Sequence, residues 1–382
     1  MKKITALFLC FAMVLGMTAC GGKTTQDDVS EDTSETETTT EEETYVYPES
    51  IDNFFTIKSL EGWIKLHGRQ IFTEDGHLTC DWSLNGFTIR VNAKGGTFKV
   101  HYETSYNPFF VAHVDGEEVF RGECPSENTE FEFQVPAGEH TIDIYKETEV
   151  STSIGNKVDL TGITFEGEIL KREPDKDLLI EVIGDSISCG DGSLGVYTKG
   201  QKWSKEDHSA THSFTYYLQE KLDADVTLCG RGGIGLCKDA GGFTMDILYD
   251  GLCFYRDKTP FKPERIPDVI VLEMGANDGS STCTEQEYSD KLENFIQHLR
   301  GLYGKDTAIV WVGKSVTHYE SMRRIILNTG DSDKMLFAVQ HDYGGAGSAA
   351  LETQSAGHPD AKGQEGFADA IIKCLKQNNL VK

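Results

Sequence analysis

The chain has 382 residues, with 36 basic and 62 acidic side chains and a net charge of −26. This excess of negative charge disfavours nucleic acids and other anionic polymers as partners, because binding to phosphates needs a basic surface. The length exceeds that of one typical domain, so two domains are expected.

The first twenty residues, "MKKITALFLCFAMVLGMTAC", predict a signal peptide (1–20) for export. Two lysines precede an apolar segment that is too short to span a bilayer and that leads into small residues. The ending Met17-Thr18-Ala19-Cys20 resembles a bacterial lipobox, in which the cysteine is lipidated and becomes the new N-terminus. Cleavage near Ala19 without lipidation is the alternative. We expect a lipoprotein attached through Cys20 to the extracellular face of a bacterial membrane, and otherwise a secreted protein.

Residues 21–50 predict a disordered acidic tether. Ten acidic residues and a single lysine lie between Gly21 and Glu49, among many Thr and Ser residues. A segment of this composition repels itself and cannot bury an apolar core. Such a tether suits a protein held away from a membrane surface.

Eight cysteines remain beyond the signal segment and Cys20. None forms a CxxC pair, and no Cys/His cluster has the spacing of a zinc site. Cys229 and Cys237 flank one Gly-rich loop and are candidates for a disulfide, although small buried thiols are the simpler expectation.

Residues 51–172 predict an all-β sandwich, in the manner of a jelly roll. Short apolar/polar alternating runs follow one another with turn signals between them and without a helical stretch. They are "FTIRVNA", "TFKVHYET", "FFVAHVDGEEVFRG", "TEFEFQVPAGEHTIDIYKE" and "DLTGITFEGEIL". Val-Asp-Gly at 114–116 and Pro-Ala-Gly at 136–138 predict tight turns. The charged segment "LKREPDKD" marks the end of this domain.

Residues 177–382 predict an α/β domain with a doubly wound, flavodoxin-like parallel sheet. Near-continuous apolar runs are typical of parallel strands that are covered on both faces. They are "LLIEVIG", "ADVTLCG", "DVIVLEMG", "TAIVWVG" and "KMLFAVQ". Thr284 and Glu287 predict a capping box at the start of a helix. The apolar face of that helix comprises Tyr288, Leu292, Phe295, Ile296 and Leu299. The segment "GQEGFADAIIKCLKQ" predicts a closing amphipathic helix.

Polar or Gly-rich residues stand at the ends of the first three strands and before the last helix. They are Gly184-Asp185-Ser186, Gly230-Arg231-Gly232-Gly233, Gly275-Ala276-Asn277-Asp278 and Gly357-His358-Pro359. Ligands of open parallel sheets bind beyond the carboxyl ends of the strands. These segments contain a hydroxyl, a base, and amide donors, which is the set that hydrolysis of an acyl bond needs.

Each of these residues also has a simpler structural explanation. Ser186 is suited to capping a helix, Gly232 to a turn with positive φ, and Asn277 to an Asn-Asp-Gly turn. His358 is explained equally well as a surface histidine. Their occurrence together, in one order and at strand ends, favours a common site. The G-x-S-x-G elbow, the P-loop and the dinucleotide-binding fingerprint do not fit the sequence.

The motifs "IGDSIS", "GRGG", "GAND" and "HPD" resemble the four blocks of the SGNH (GDSL) hydrolases, over most of residues 178–376. The preceding β domain sharpens the resemblance toward carbohydrate esterase family 2, which joins a jelly roll to an SGNH domain. The resemblance implies that Ser186 is the nucleophile and, through its N–H, an oxyanion donor. It implies that Gly232 and Asn277 donate to the same oxyanion and that His358 is the general base.

Two details of this assignment stay open. Gly233 or Gly235 are alternatives to Gly232 as the oxyanion donor, because the Gly-rich run leaves the register undetermined. Most SGNH enzymes carry an Asp three residues before the histidine, where this chain has Ser355. A Ser-His dyad with the imidazole held by a backbone carbonyl is expected, and Asp342 is the alternative source of an acid.

The resemblance implies a carbohydrate O-acetyl esterase, similar to acetylxylan esterases, that needs no metal and no cofactor. Its expected partner is an acetylated plant polysaccharide or oligosaccharide. Trp203 and Tyr343 are candidates for a sugar-binding cleft, whereas Trp311 lies within a strand and is expected in the core. The alternatives are a lipase or thioesterase of the same superfamily and a non-catalytic glycan-binding lipoprotein.

Overall fold

The structure is a computed structural model that describes residues 46–149, 157–195, 204–252, 260–279, 281–313, 316–329, 335–340, 354–355 and 358–382. The predicted signal segment, Cys20 and most of the tether lie outside the described residues, and so do Trp203, Asp342 and Tyr343. None of the helices in the described ranges is both long and apolar enough to cross a bilayer.

Ten antiparallel strands make up the first part of the chain and form the expected β sandwich. They are β1 (Phe54–Thr56), β2 (Ile64–His67), β3 (Ile71–Phe72), β4 (Leu78–Cys80), β5 (Gly86–Thr104), β6 (Phe109–Val114), β7 (Glu117–Glu123), β8 (Glu130–Lys146), β9 (Val158–Thr164) and β10 (Gly167–Ile169). A short 3-10 helix, Ile57–Leu60, follows β1. The inward-facing residues, such as Phe87, Ile89 and Phe98, are fully buried in one apolar core.

The tight turn predicted at Pro136–Gly138 is wrong, because β8 continues through these residues. β5 pairs with β8 from Gly86 to His101, with Gly96 opposite Val135 and Lys94 opposite Ala137. Pro136, which has no N–H to donate, and Gly95 opposite it are left out of the pairing, while the register is the same on both sides. The other predicted turn is confirmed, since Asp115 and Gly116 both adopt positive φ between β6 and β7.

The second part of the chain contains the predicted parallel sheet, in the order β12-β11-β13-β14-β15. Its strands are β11 (Leu179–Gly184), β12 (Asp225–Gly230), β13 (Val269–Glu273), β14 (Ala308–Gly313) and β15 (Leu336–Gln340). This order is the flavodoxin-like one, and it reverses direction between β11 and β13. A ligand of such a sheet binds at this reversal, beyond the carboxyl ends of β11 and β13.

In the described residues, six helices and a two-stranded hairpin accompany this sheet. The helices are α1 (Ser186–Cys189), α2 (Phe214–Leu222), α3 (Met245–Leu248), α4 (Glu285–Tyr303), α5 (Val316–Thr329) and α6 (Ala361–Gln377), and β16 (Gln354–Ser355) pairs with β17 (His358–Pro359). Two further 3-10 helices span Lys205–Asp207 and Ala210–His212. The predicted capping box of Thr284 and Glu287 begins α4, and the predicted apolar face of that helix is buried.

Among the described residues the seven cysteines are free thiols. Cys229 is fully buried in β12, whereas Cys237 is only partly buried. The disulfide between these two residues is therefore absent. Four of the seven thiols are buried, which agrees with the expectation of small buried thiols.

Candidate active site

The nucleophile candidate Ser186 begins a short helix directly after the central strand β11. Asp185 is the N-cap of this helix, and its Oδ1 accepts a hydrogen bond from the Ile187 N–H at 2.9 Å. The helix ends at Gly190, whose φ of 86° lies in the left-handed region. Ser186 is 8 % exposed and therefore lies in a largely buried position.

His358 lies against this serine, as the sequence predicted. Its Nε2 is 2.9 Å from Ser186 Oγ, although 172 positions separate the two residues. His358 belongs to β17, and its backbone pairs with that of Ser355 in β16. The His358 Nδ1 is buried and has no hydrogen-bond partner among the described residues. No carboxylate in the described part of the chain therefore orients the imidazole.

The position of His358 is set by the start of α6. Asp360 caps this helix as predicted, accepting from the Gly363 N–H at 2.9 Å. Gln364 is fully buried one turn later, and its Nε2 donates to Ile187 O in α1 at 3.0 Å. Its Oε1 accepts from the Phe214 N–H at 2.9 Å. Helix α6 is thus hydrogen-bonded directly to the helix that carries the serine.

Asn277 follows β13 and lies beside the residue that precedes the serine. Its Nδ2 donates to Asp185 Oδ2 and to Ile234 O, both at 2.9 Å. Both amide hydrogens are engaged in this structure. An acyl oxygen that receives a hydrogen bond from Asn277 has to replace one of these two acceptors. The neutral carbonyl of Ile234 is the weaker of the two, because hydrogen bonds to charged groups are stronger.

A buried pair of carboxyl groups, Asp185 and Glu273, lies at the start of helix α1. Glu273 ends β13, and its Oε2 accepts from Ser188 Oγ at 3.1 Å. Burial raises the pKa of Glu273 well above its usual range, and the nearby charge of Asp185 raises it further. The Glu273 carboxyl therefore keeps its proton and donates it toward Asp185. The Asp185 carboxylate is left to accept from Ile187 and Asn277.

The Gly-rich loop after β12 offers candidates for a backbone donor. The Gly232 N–H donates to Glu149 Oε2, a carboxyl that reaches this loop from the end of β8. The Gly235 N–H donates to Lys238 O at 2.9 Å, so it is already used within the loop. Gly233 adopts a φ of 75°, as a tight turn at this point requires.

Three functional residues were not found from the sequence. Glu273 had a signal, since a lone acidic residue ends the otherwise apolar strand "VIVLE". The sequence predicted only that Gln364 lies in the closing helix and gave no indication of its contacts. Glu149 had no local signal, because it is 83 positions from the glycine that it contacts.

One cluster in the described residues, Cys237, Asp278 and Cys283, has a geometry that could hold a metal ion. The Asp278 carboxylate already accepts hydrogen bonds from the backbone N–H groups of Leu236, Cys237 and Lys238. We therefore interpret Asp278 as the residue that fixes the loop between the glycines and α3.

A serine hydrogen-bonded to a histidine at the strand-order reversal of a parallel sheet defines a serine hydrolase of the α/β type. Residues 182–365 match the model of the GDSL-like Lipase/Acylhydrolase family. The second part of the chain is therefore a GDSL-like lipase/acylhydrolase domain.

Known proteins resemble a larger part of the chain. "Cellulase/esterase CelE" of Acetivibrio thermocellus is 26 % identical over 250 residues, which are 63 % of this chain. The aligned region spans about 30 % of the length of that relative. A family two carbohydrate esterase from Clostridium thermocellum, solved in complex with cellohexaose, superposes with a TM-score of 0.73 at 21 % identity, covering 82 % of this chain and 98 % of its own.

An acetyl xylan esterase from the rumen bacterium Butyrivibrio proteoclasticus superposes with a TM-score of 0.70 at 16 % identity. That comparison covers 85 % of this chain and 98 % of the other. The β sandwich followed by the parallel α/β sheet is thus the fold of the family 2 carbohydrate esterases.

Proposed function

We propose that the protein is a carbohydrate O-acetyl esterase with a Ser186–His358 catalytic dyad. The observation that carries the proposal is the 2.9 Å contact between Ser186 Oγ and His358 Nε2 at the carboxyl end of β11. Neither residue is needed for the other's local structure, since one begins a helix and the other lies in a hairpin. Their contact therefore points to proton transfer between them.

The reaction proceeds in two stages. His358 Nε2 takes the hydroxyl proton while Ser186 Oγ attacks the acetyl carbon, and the carbonyl oxygen becomes an oxyanion. The intermediate then collapses, His358 donates its proton to the departing sugar hydroxyl, and an acetyl-serine remains. A water molecule, deprotonated by His358, attacks the acetyl-serine. The second intermediate then collapses, His358 returns the proton to Ser186 Oγ, and the acetic acid that leaves ionises to acetate, which restores the free enzyme. The Ser186 N–H, the Gly232 N–H and Asn277 Nδ2 are the donors proposed for the oxyanion.

The imidazole of this dyad needs an orienting group other than a carboxylate of the described residues. Replacing the orienting acid lowers kcat by about 10⁴-fold in the Ser-His-Asp template. The anchoring of α6 to α1 through Gln364 supplies part of the needed orientation, because it fixes the backbone on either side of the reaction centre. A backbone carbonyl at Nδ1 is the proposed remaining partner.

An acetylated plant polysaccharide or oligosaccharide is the proposed substrate class. This substrate class is supported by the similarity to the esterase CelE and by an acetyl xylan esterase that has the same fold. Attachment to the extracellular face of a bacterial membrane through Cys20 belongs to the same proposal. A tethered esterase would then act on polymers outside the cell.

The decisive experiment compares wild type, Ser186→Ala and His358→Ala on an aryl acetate. Each substitution is expected to reduce kcat by at least 10³-fold, since removing either member of such a pair disables the nucleophile. Ser193→Ala, next to the same helix, is the control for changes in folding. Wild-type turnover by Ser186→Ala contradicts the proposal.

A second panel tests the substrate class. Aryl esters of two to twelve carbons should show a steep loss of kcat/KM beyond short acyl chains, whereas a lipase or thioesterase would prefer the longer ones. Acetate release from acetylated xylan and acetylated mannan then identifies the polymer. Binding of these polymers by the intact protein without any acetate release would instead support a glycan-binding lipoprotein.

A further inference from the structure

A glutamate of the β sandwich occupies the backbone donor proposed for the oxyanion. Glu149 follows the end of β8 by three residues, and its Oε2 accepts a hydrogen bond from the Gly232 N–H. The contact is close, because a Cβ on Gly232 would lie 2.2 Å from Glu149 Oε2. A side chain at position 232 would therefore displace this carboxyl group.

The groups that face Glu149 come from three segments of the α/β domain. Burial and, to a smaller extent, the Asp191 carboxylate raise the pKa of Glu149, while His208, the Gly232 N–H and Arg231 lower it, and the net pKa is about 8. Burial lowers the pKa of His208, but its contact with Asp191 raises it overall, so these two form an ion pair. The Cys189 thiol of α1 stays protonated, because burial raises its pKa.

The charged neighbours of Glu149 on its own segment have other partners. Lys146 Nζ donates to the carbonyl groups of Asp81 and Thr148, at 2.9 and 2.6 Å. Glu147 pairs with Arg121 at 3.0 Å. The ammonium group of Lys146 is therefore engaged by backbone carbonyls and the guanidinium group of Arg121 by Glu147.

A carboxyl group on an oxyanion donor has the shape of the acetate that the proposed reaction releases. A neutral carboxyl shares the Gly232 N–H only weakly and yields to an incoming acyl oxygen. A charged carboxylate binds the N–H more strongly, since charge-assisted hydrogen bonds are about twice as strong as neutral ones. It also repels an oxyanion that develops beside it.

We propose that Glu149 is a built-in acetate mimic that occupies the Gly232 donor when charged and yields it to the substrate when protonated. The inference rests on the proposed function, because it takes Gly232 as an oxyanion donor. Glu149 acts through Gly232 and is a positioning residue. It makes the β sandwich part of the control of the active site.

The test is the pH dependence of kcat/KM for an aryl acetate, with the Ser186→Ala rate subtracted at every pH. The kcat/KM of wild type should fall about tenfold between its plateau and pH 9. Glu149, with a pKa of about 8, is about nine-tenths ionised at that pH. Glu149→Gln keeps a neutral acceptor for the Gly232 N–H and should lose this alkaline decline. Glu132→Gln, an exposed acid-to-amide change in β8, should retain it. An unchanged decline in Glu149→Gln overturns the inference while leaving the esterase proposal intact.

Acetate binding to the intact protein provides a readout that does not depend on turnover. Calorimetric titration should show acetate binding at least tenfold more weakly at pH 9 than at pH 6.5 in wild type, and equally at both pH values in Glu149→Gln. Equal binding by wild type at both pH values overturns the inference even if the protein has no esterase activity. If acetate binding differs between the two pH values but no turnover depends on Ser186, the proposed function is contradicted and the inference about Glu149 is not.

Discussion

Replacing Asn277 by alanine separates its two roles in stability and in catalysis. The side chain lies between Asp185, which caps the nucleophile helix, and the carbonyl of Ile234 in the Gly-rich loop. Alanine removes the amide and leaves both acceptors without this donor. The substitution therefore affects the positions of two loops as well as the oxyanion.

The magnitude follows from the two hydrogen bonds. A bond to a charged acceptor contributes about 1.5–3 kcal/mol and one to a neutral carbonyl about 0.5–1.5 kcal/mol. Asn277→Ala should thus lower the free energy of unfolding by about 2–4 kcal/mol. Removal of one oxyanion donor lowers kcat by about 10²- to 10³-fold, so the variant should be slow even where it is fully folded.

Urea unfolding followed by tryptophan fluorescence measures the first effect, and aryl acetate kinetics at a temperature where both proteins are folded measures the second. Asn92→Ala, at an exposed position of β5, is the matched control and should change neither. A kcat/KM of Asn277→Ala within threefold of wild type would refute the assignment of Asn277 as an oxyanion donor. Loss of activity without loss of stability would refute its bridging role.

Two further predictions concern stability. Gly190→Ala should lower the melting temperature well beyond Gly116→Ala: both glycines have φ near +85°, but a Cβ at Gly190 would lie 2.0 Å from Ser209 O, whereas one at Gly116 meets nothing within 4 Å. Equal losses in the two variants would contradict the steric argument. His67 is the second case, since burial lowers its pKa from 6.5 to about 3. The unfolded chain then binds the proton first, so wild type should lose stability relative to His67→Gln as the pH falls from about 6.5 toward 3. Parallel urea-unfolding profiles of the two proteins between pH 7 and pH 4 would contradict this sign.

The parallel sheet could be predicted because its strands carry their own signal. Runs such as "LLIEVIG" are apolar on both faces, which only a doubly covered strand explains. The contact between Ser186 and His358 could be predicted because Ser186 follows a parallel strand and both residues lie in motifs that resemble the blocks of the SGNH hydrolases. The capping box at Thr284 was equally local, and the structure confirms it.

The β sandwich was harder to predict in detail, because a Pro-Gly pair is compatible with either a turn or a bend within a strand. Only the partner strand distinguishes the two, and β5 pairs with β8 on both sides of Pro136. The contact of Glu149 with Gly232 was beyond sequence reasoning for a related reason. It joins two domains whose relative placement no local pattern encodes.

The hydrogen bonds of Gln364 have a consequence for how this fold tolerates change. They hold the general base against the nucleophile helix from the C-terminal side of His358. The distance between Ser186 and His358 is therefore set in part by the docking of α6 onto α1. A substitution that shifts α6 relative to α1 would thus change the proton-transfer geometry without altering Ser186 or His358.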